Sequence, residues 1–171
     1  DALSVVDLGD LYHAALVKTV RFGVSSMSLG RGYVQDDRLY SGGYGQFHVI
    51  SLADPRSPKL LGSYRSAPDE PFPIGGGPDD VEGGYAYIAS SLGFDMIDIA
   101  NPQAPKLAGR YMKMDTVGYD VDAHGQRAYL AAGVDGVKVI DVSNPAALSQ
   151  IGSAPSIGDA RRVQLSGGLL Y

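Results

Sequence analysis

The chain has 171 residues, of which 44% are hydrophobic and 19% charged, and its formal net charge at pH 7 is −5. This composition suits one folded domain, and the acidic balance argues against a nucleic-acid partner because phosphate binding needs a basic face. The chain lacks cysteine and any run of 18 apolar residues, which excludes disulfides, thiol catalysis and cysteine-ligated metals and predicts no membrane span.

A short apolar stretch that ends in a turn recurs four times along the chain. The copies are Leu-Ser-Val-Val-Asp-Leu-Gly-Asp-Leu at 3–11, Phe-His-Val-Ile-Ser-Leu-Ala-Asp-Pro at 47–55, Phe-Asp-Met-Ile-Asp-Ile-Ala-Asn-Pro at 94–102 and Val-Lys-Val-Ile-Asp-Val-Ser-Asn-Pro at 137–145. The Asn or Asp position recurs at 10, 54, 101 and 144, so the spacings are 44, 47 and 43 residues. A period of this length, filled with short strands, is typical of a β-propeller blade.

Each repeat is predicted to hold four antiparallel strands. A tight-turn sequence precedes each of four equivalent tyrosines and separates an inner strand, such as 120–123 or 162–165, from a second strand, such as 127–131. A Gly-rich loop leads into the third strand, which ends in Asn-Pro, and the fourth strand is expected at 59–64 and 106–111. The inner strands are expected near Val34, Val81, Val121 and Val163.

The third strand carries apolar residues on both of its faces. Because side chains alternate faces along a strand, such a strand must be covered on both sides, as blades stacked around a propeller axis are. A parallel α/β sheet also has two-sided strands, but it needs crossover helices, and no useful helical period is present. The residues predicted to be buried between neighbouring blades are Ile97, Ile99, Ile140 and Val142.

These stretches resemble the LVIVD repeat. The resemblance is carried by Val-Ile-Asp-Val-Ser-Asn-Pro at 139–145, by Met-Ile-Asp-Ile-Ala-Asn-Pro at 96–102, and by the Pro-Lys-Leu-(Leu/Ala)-Gly segments at 58–62 and 105–109. It covers nearly the whole chain and implies a bacterial or archaeal β-propeller that is secreted or at the cell surface and has no general catalytic motif. The expected fold class is therefore all-β, a β-propeller with four repeat units of about 43 residues.

Residues 1–171 are expected to form a single β-propeller region that belongs to a larger propeller of six to eight blades. Asp1 aligns with Asp135 and Tyr171 with Tyr129, so the sequence starts just before a third strand and stops inside a second strand. The alternative is a four-bladed ring, in which strands at 162–165 and 169–171 pair with strands at 3–8 and 16–20. A closed propeller has no exposed sheet edges, so the open edges of this region must find a partner in either arrangement.

The histidines predict no metal site, and no other cofactor is expected. His13, His48 and His124 fall in different repeats, whereas a metal site needs convergent ligands. His48 shares a polar and variable register with Asp95 and Lys138, which predicts a position on the blade surface.

An aspartate recurs at one register of the third strand, at Asp7, Asp98 and Asp141, while Ser51 takes the fourth place. A recurring acid invites a calcium or catalytic interpretation. The carboxylate of an Asp just before a turn, however, accepts hydrogen bonds from nearby backbone N–H groups. We therefore expect these aspartates to be structural.

Charged and aromatic residues stand where the inner strands begin, at positions that point towards the channel of a propeller or its rim. Buried charges there must be paired or hydrated. This leaves two interpretations, an Arg–Asp network that fills the channel and a polar binding funnel. The candidate binding residues on this rim are Arg31, Tyr33, Asp80, Asp120, Arg161 and Arg162.

Residues 67–77 form the clear insertion in the repeat and account for the 47-residue spacing. The insertion joins an outer strand to the next inner strand, on the same face as the Gly-rich loops and the rim residues. Phe72 and Ile74 are exposed there unless they pack on something, and an ordered apolar loop suggests a partner contact. Phe72 is the predicted anchor, and the alternative is that Phe72 packs onto its own blade.

Three functions fit these patterns. The first is a non-catalytic binding or scaffold propeller outside the cytoplasm, in the periplasm, at the cell surface or secreted, with a protein partner or a larger assembly. The second is a structural subunit that closes its open edges against other chains. The third is an enzyme at the channel mouth, with Asp80 and Asp120 as acids and Arg31 or Arg161 as electrostatic groups. No Gly-x-Ser-x-Gly, His-Glu-x-x-His or phosphate-loop motif is present, so no catalytic residue is assigned.

Overall fold

The computed structural model describes residues 2–9, 13, 15–22, 29–70, 73–156 and 158–171. In these ranges the regular structure is β-strand, apart from one short 3₁₀ turn at Pro145–Ala147, so the all-β prediction is confirmed. The strands are β1 (Leu3–Asp7), β2 (Ala15–Val20), β3 (Gly32–Gln35), β4 (Arg38–Gly43), β5 (Gln46–Ser51), β6 (Lys59–Arg65), β7 (Asp80–Glu82), β8 (Tyr85–Ser90), β9 (Gly93–Asp98), β10 (Lys106–Met112), β11 (Asp120–His124), β12 (Arg127–Ala131), β13 (Val137–Asp141), β14 (Ser149–Ala154), β15 (Leu165–Ser166) and β16 (Leu169–Leu170).

Three antiparallel four-stranded sheets follow one another along the chain. We call them the first unit (β3–β6), the second unit (β7–β10) and the third unit (β11–β14). Within each unit the spatial order of the strands is their chain order, so each connection joins neighbours. Two-stranded sheets flank the units, β1–β2 before them and β15–β16 after them.

The turns between the first two strands of each unit follow the sequence. Asp36 and Asp37 have φ of 48° and 55°, and the equivalent Gly83 and Gly84 have φ of 60° and 83°. Two-residue hairpins need this left-handed backbone, which Gly and Asp adopt at low cost. The predicted inner strands near Val34, Val81 and Val121 are confirmed as β3, β7 and β11.

The fourth predicted inner strand starts later than expected. Residues 162–165 were expected to be extended, whereas β15 begins at Leu165 and pairs only with β16 among the described residues. The backbones of Gln164 and Tyr171 exchange two hydrogen bonds of 3.1 and 3.0 Å just before it.

The two flanking sheets are complementary halves of a unit. The pair β1–β2 corresponds to third and fourth strands, and β15–β16 corresponds to first and second strands. They do not pair with each other in the described part of the chain, so the pairing that a four-bladed ring requires is not formed. The contacts between units join consecutive units, such as β3 with β7 and β7 with β11.

The hydrophobic core lies between neighbouring units. Ile97 belongs to a cluster with Phe47 of the first unit, and Ile140 belongs to a cluster with Phe94 of the second unit. The prediction of burial between units is confirmed, because each of these side chains is at most 5% exposed: Ile97, Ile99, Ile140 and Val142.

The polar register of the third strands is buried, and the prediction of a surface position for His48 is wrong. His48, Asp95 and Lys138 are 1%, 4% and 6% exposed. Two of these buried polar side chains have a polar partner within their own unit. His48 Nδ1 lies 2.8 Å from Ser63 Oγ, and Lys138 Nζ lies 3.0 Å from an oxygen of Asp135. Burial, with a smaller effect of the Arg65 charge, lowers the pKa of His48.

The recurring aspartates before the turns are structural, as predicted. Asp98 Oδ1 accepts a 3.0 Å hydrogen bond from the N–H of Ala100, and Asp141 Oδ1 accepts one of 2.9 Å from the N–H of Ser143. Asp7 makes the same contact with Gly9 at 2.8 Å. Each carboxylate therefore holds the turn that follows its own strand.

Candidate functional site

A polar groove of about 480 Å³ opens where the first strands of consecutive units lie side by side. Three units and the segment 162–164 contribute to it, so the tertiary structure brings together residues from four repeats. Of the seven predicted binding residues, five line this groove: Arg31, Tyr33, Asp80, Asp120 and Arg162. Asp79 and Asp122 join them.

Aspartates of the groove bind the backbone of the following repeat. Asp80 Oδ2 accepts a 2.9 Å hydrogen bond from the N–H of Ala123, and Asp120 Oδ2 accepts one of 3.0 Å from the N–H of Val163. Asp122 accepts a bond from the N–H of Leu165 in the same way. Each donor lies 43 residues after its acceptor, which is one repeat, so these carboxylates link neighbouring units at the groove wall.

Arg31 neutralises part of this acidic wall. Its Nη1 is hydrogen-bonded to Asp79 and lies 3.7 Å from Asp120 Oδ1. Asp79 also accepts a 2.7 Å hydrogen bond from the N–H of Ala89. Burial nevertheless raises the pKa of Asp79 to about 6, because desolvation outweighs the hydrogen bond and the Arg31 charge. The Asp79 carboxyl therefore gains or loses its proton closer to neutral pH than an ordinary aspartate does.

Tyr33 occupies the position in the first unit that Asp80 occupies in the second. Tyr33 pairs with Tyr40 and Asp80 pairs with Tyr87, and these two tyrosines are equivalent. Its hydroxyl donates a hydrogen bond to Asp80. Burial, followed by the Asp80 charge, raises the pKa of Tyr33 to about 12, so the phenol stays protonated. The Asp80 carboxylate thus receives donors from both neighbouring units.

The two remaining predicted binding residues are Arg161 and Phe72. Arg161 does not line the groove, because its guanidinium forms a 2.7 Å ion pair with Asp159 and lies 4.1 Å from the ring centroid of Tyr119. Phe72 lies outside the described residues, so its role as the anchor of a partner stays a prediction.

A second groove of about 600 Å³ lies on the Gly-rich loops. Its walls combine glycine backbone with apolar and aromatic side chains, among them Tyr44, Val117 and Tyr119. Arg31 and Asp79 line both grooves, so the polar groove and the loop groove meet at this ion pair. Tyr44 is 91% exposed, which leaves a large aromatic side chain open to solvent beside the polar groove.

The insertion is held against the first two units. Ile74 is fully buried, its N–H donates a 3.1 Å hydrogen bond to Ser66 Oγ, and its carbonyl accepts one of 2.9 Å from the N–H of Gly45. Glu70 forms an ion pair with Arg110 of β10. One of the two apolar side chains that the sequence left open is therefore a core residue.

An enclosed ion-pair cluster escaped the sequence analysis. Arg110 Nε lies 2.7 Å from Asp95 Oδ1, and the same guanidinium binds Glu70. Desolvation raises the pKa of Asp95 to about 6 despite the nearby Arg110 charge. A cavity of about 260 Å³ adjoins the cluster. The sequence signal for this cluster was the recurring polar register that contains Asp95. The sequence analysis had assigned that register to the blade surface.

Groups of three or more His, Cys, Asp or Glu side chains that could hold a metal ion do not occur among the described residues. The described helical structure is far too short to cross a membrane.

The matches to a known protein family coincide with units of the structure. The model of the family described as LVIVD repeat matches residues 80–113 and 118–154, which are the second and third units. A search of curated proteins finds no match. The second and third units therefore match the LVIVD repeat, as their sequence predicted.

Proposed function

We propose that the chain is a β-propeller region that acts outside the cytoplasm as a non-catalytic binding module. Its binding face is formed by the polar groove and the adjoining loop groove. The observation that carries the proposal is the meeting of these two grooves at the Arg31–Asp79 pair.

The propeller is supported by the way in which consecutive units stack. Each unit is an antiparallel four-stranded sheet, as a blade is. The first strands of the units lie next to one another and are joined by the Asp80–Ala123 bond, as expected of strands around an axis. The apolar cores lie between the sheets, which is how blades bury both of their faces.

A non-catalytic role is supported by the hydrogen bonds that the groove carboxylates make. Asp80, Asp120 and Asp122 accept backbone hydrogen bonds that link the units. A general acid or base must exchange a proton with a substrate, and these groups would break a link between units if they turned away to do so. Asp79, whose pKa burial raises to about 6, would carry the enzymatic alternative.

The chemistry of the face fits a basic segment of a protein partner. Four aspartates and two arginines line the polar groove, so its side chains are acidic overall. Next to it the loop groove offers Tyr44, Val117 and Tyr119 as apolar contacts. We expect a lysine or arginine side chain to enter the polar groove while apolar neighbours of that residue cover the loops.

The extracytoplasmic location rests on the resemblance to LVIVD-repeat proteins. Fractionation of cells that produce the intact protein from its own gene tests it. We expect the protein in the periplasmic, surface or secreted fraction. Recovery with a cytoplasmic marker would contradict this location.

A peptide titration tests the binding face. The probes are Gly-Leu-Lys-Leu-Gly and the same peptide with Glu in place of Lys, both with blocked ends, followed by backbone amide shifts. We expect the lysine peptide to shift the amides of Ala123, Val163 and Leu165, and the glutamate peptide to leave them unchanged. Asp79→Asn should weaken the lysine peptide at least about threefold, because one charge–charge contact is worth about 1 kcal/mol.

The matched control is Asp54→Asn, which makes the same change of charge at an exposed turn outside both grooves. It should leave peptide binding unchanged. Equal binding of the lysine and glutamate peptides, or shifts confined to the hairpin-turn side around Asp36, Gly83 and His124, would overturn the proposed site.

A further inference from the structure

We propose that the cavity of about 260 Å³ beside Arg110 binds a small neutral polyhydroxyl molecule of the size of one sugar ring. We call it the Arg110 cavity, and the residues of its wall that matter here are Ser90, Ser91, Leu92, Asp95, Arg110 and Met112. It shares no lining residue with the polar groove, so the inference goes beyond the proposed function and does not depend on it.

The second unit departs from the other two at this cavity. Arg110 of β10 lies opposite Asp95 of β9, whereas the first and third units have a serine in place of the arginine, Ser63 and Ser153. The insertion leads into this unit, and its Glu70 binds the Arg110 guanidinium. The blade architecture does not require this ion-pair cluster, because the other two units form without it.

The cluster leaves a buried donor without an acceptor. Arg110 Nε lies 2.7 Å from Asp95 Oδ1, and Nη1 contacts Glu70. Arg110 Nη2 is buried and has no hydrogen-bond partner among the described residues. A donor that leaves water without gaining an acceptor costs its full desolvation free energy. A ligand oxygen that accepts a hydrogen bond from Nη2 removes this cost.

The charges at the cavity favour a neutral ligand. The side chains of Asp95 and Glu70 are 5% and 15% exposed, and these two carboxylates surround the one guanidinium of Arg110. An anion would add a third negative charge to this enclosed cluster, at a high desolvation cost. A cation would be repelled by the N–H groups of the guanidinium. The ligand atom at Nη2 is therefore an uncharged oxygen.

The other polar groups of the wall favour hydroxyl groups on the ligand. Ser90 and Ser91 line the cavity, and each serine hydroxyl both donates and accepts. Burial raises the pKa of Asp95 to about 6, and above that pH its carboxylate only accepts. A ligand hydroxyl can donate to Asp95 while another accepts from Arg110, whereas a carbonyl oxygen satisfies the arginine alone. Neighbouring hydroxyl groups therefore match this wall.

The apolar part of the wall and the volume set the size of the ligand. Leu92 and Met112 line the cavity, and the C–H face of a sugar ring can pack on such side chains. The volume of about 260 Å³ is far above the space that one water needs and just below the range of about 300–1,000 Å³ typical of drug-sized ligands. One monosaccharide or cyclic polyol is the ligand of this size.

The experiment titrates the intact protein with four probes, D-glucose, D-galactose, D-mannose and myo-inositol, and follows its backbone amide shifts. Leu92, Asp95 and Met112 line the Arg110 cavity but neither groove, so their amides report on this site. We expect at least one probe to shift these amides in a saturable way at millimolar concentration. D-Glucuronate, which adds a carboxylate to the same ring, should give no saturable shift.

Two variants test the assigned contacts. Ser91→Ala carries little risk to folding because Ser91 is exposed, and loss of one hydrogen bond should weaken the bound probe at least about threefold. Arg110→Lys keeps the positive charge but removes Nη2, and should weaken the probe at least about tenfold while the circular dichroism spectrum stays unchanged. The matched control is Ser149→Ala, the same change at an exposed position outside this cavity and both grooves, which should leave binding unchanged.

Absence of saturable shifts with all four probes would overturn the proposal and would leave water as the partner of Arg110. Saturable binding of D-glucuronate would overturn the assignment of a neutral ligand. Unchanged affinity of the bound probe in Ser91→Ala, or in a folded Arg110→Lys, would overturn the site. Binding of the lysine peptide, followed at Ala123, Val163 and Leu165, tests the proposed function separately.

Discussion

The Asp80 carboxylate accepts a 2.9 Å hydrogen bond from the backbone N–H of Ala123, which lies 43 residues later in the chain. Asp122 makes the equivalent bond to Leu165 one repeat further on. A side chain of one sheet thus satisfies a backbone donor of the next, and this happens at the wall of the candidate site. The residues that shape the groove are therefore also residues that hold neighbouring units together.

Asp80→Ala should lower the free energy of unfolding by about 1–3 kcal/mol, because the N–H groups of Ala123 and Val81 lose their acceptor. Urea denaturation checks this. The matched control is Glu82→Ala, an acid on the same strand that accepts no such bond among the described residues. A loss for Asp80→Ala no larger than that for the control would show that the bond between units contributes nothing.

Ile140→Ala should cost about 2–5 kcal/mol of stability, because Ile140 is fully buried between the second and third units and truncation leaves a cavity. Val134→Ala is the control, since Val134 is 86% exposed and its truncation removes little packing. Thermal unfolding of both variants gives the comparison. A cost below about 1 kcal/mol for Ile140→Ala would mean that the third strand is not sandwiched.

Asp79 should make stability fall as pH rises. Its pKa is raised from 3.8 to about 6 in the folded chain, so the folded state binds more protons than the unfolded state within this window. The free energy of unfolding of the wild type, minus that of Asp79→Asn, should therefore decrease between these pH values by at most about 3 kcal/mol. This difference cancels the contributions of Asp95 and His48. A difference that increases with pH would mean that the Arg31 charge outweighs burial.

Calcium should leave the melting temperature unchanged, because Asp141 holds its own turn through Ser143. Hydrogen bonds from the Ser143 side chain and, to a smaller extent, from the Ser143 N–H hold the pKa of Asp141 below its usual value. Asp141→Ala should lower the melting temperature, and Asp141→Asn should retain most of it because the amide oxygen can still accept the bond. A rise of the melting temperature with calcium that Asp141→Asn abolishes would reassign this aspartate as a ligand.

Most strands, the turns between them and the burial on both faces of the third strands could be predicted from the sequence. The strands that contain Ile97 and Ile140 carry apolar side chains on both faces, and few architectures bury both faces of a strand. Asp36–Asp37 and Gly83–Gly84 accept the left-handed backbone of a hairpin, which is a local property. The role of Asp98 was predictable for the same reason, since its donor lies two residues away.

The contacts of each polar side chain, in contrast, depend on tertiary packing. His48 and Asp95 stand in a register that looks like surface, yet the structure buries both of them. Arg161 and Arg162 are adjacent in sequence, yet Arg162 lines the groove whereas Arg161 binds Asp159. The N–H group that donates to Asp80 lies one full repeat away. The repeat period alone does not predict which atoms of two repeats are in contact. Packing between units sets these contacts, because it depends on how whole sheets stack rather than on local backbone preference.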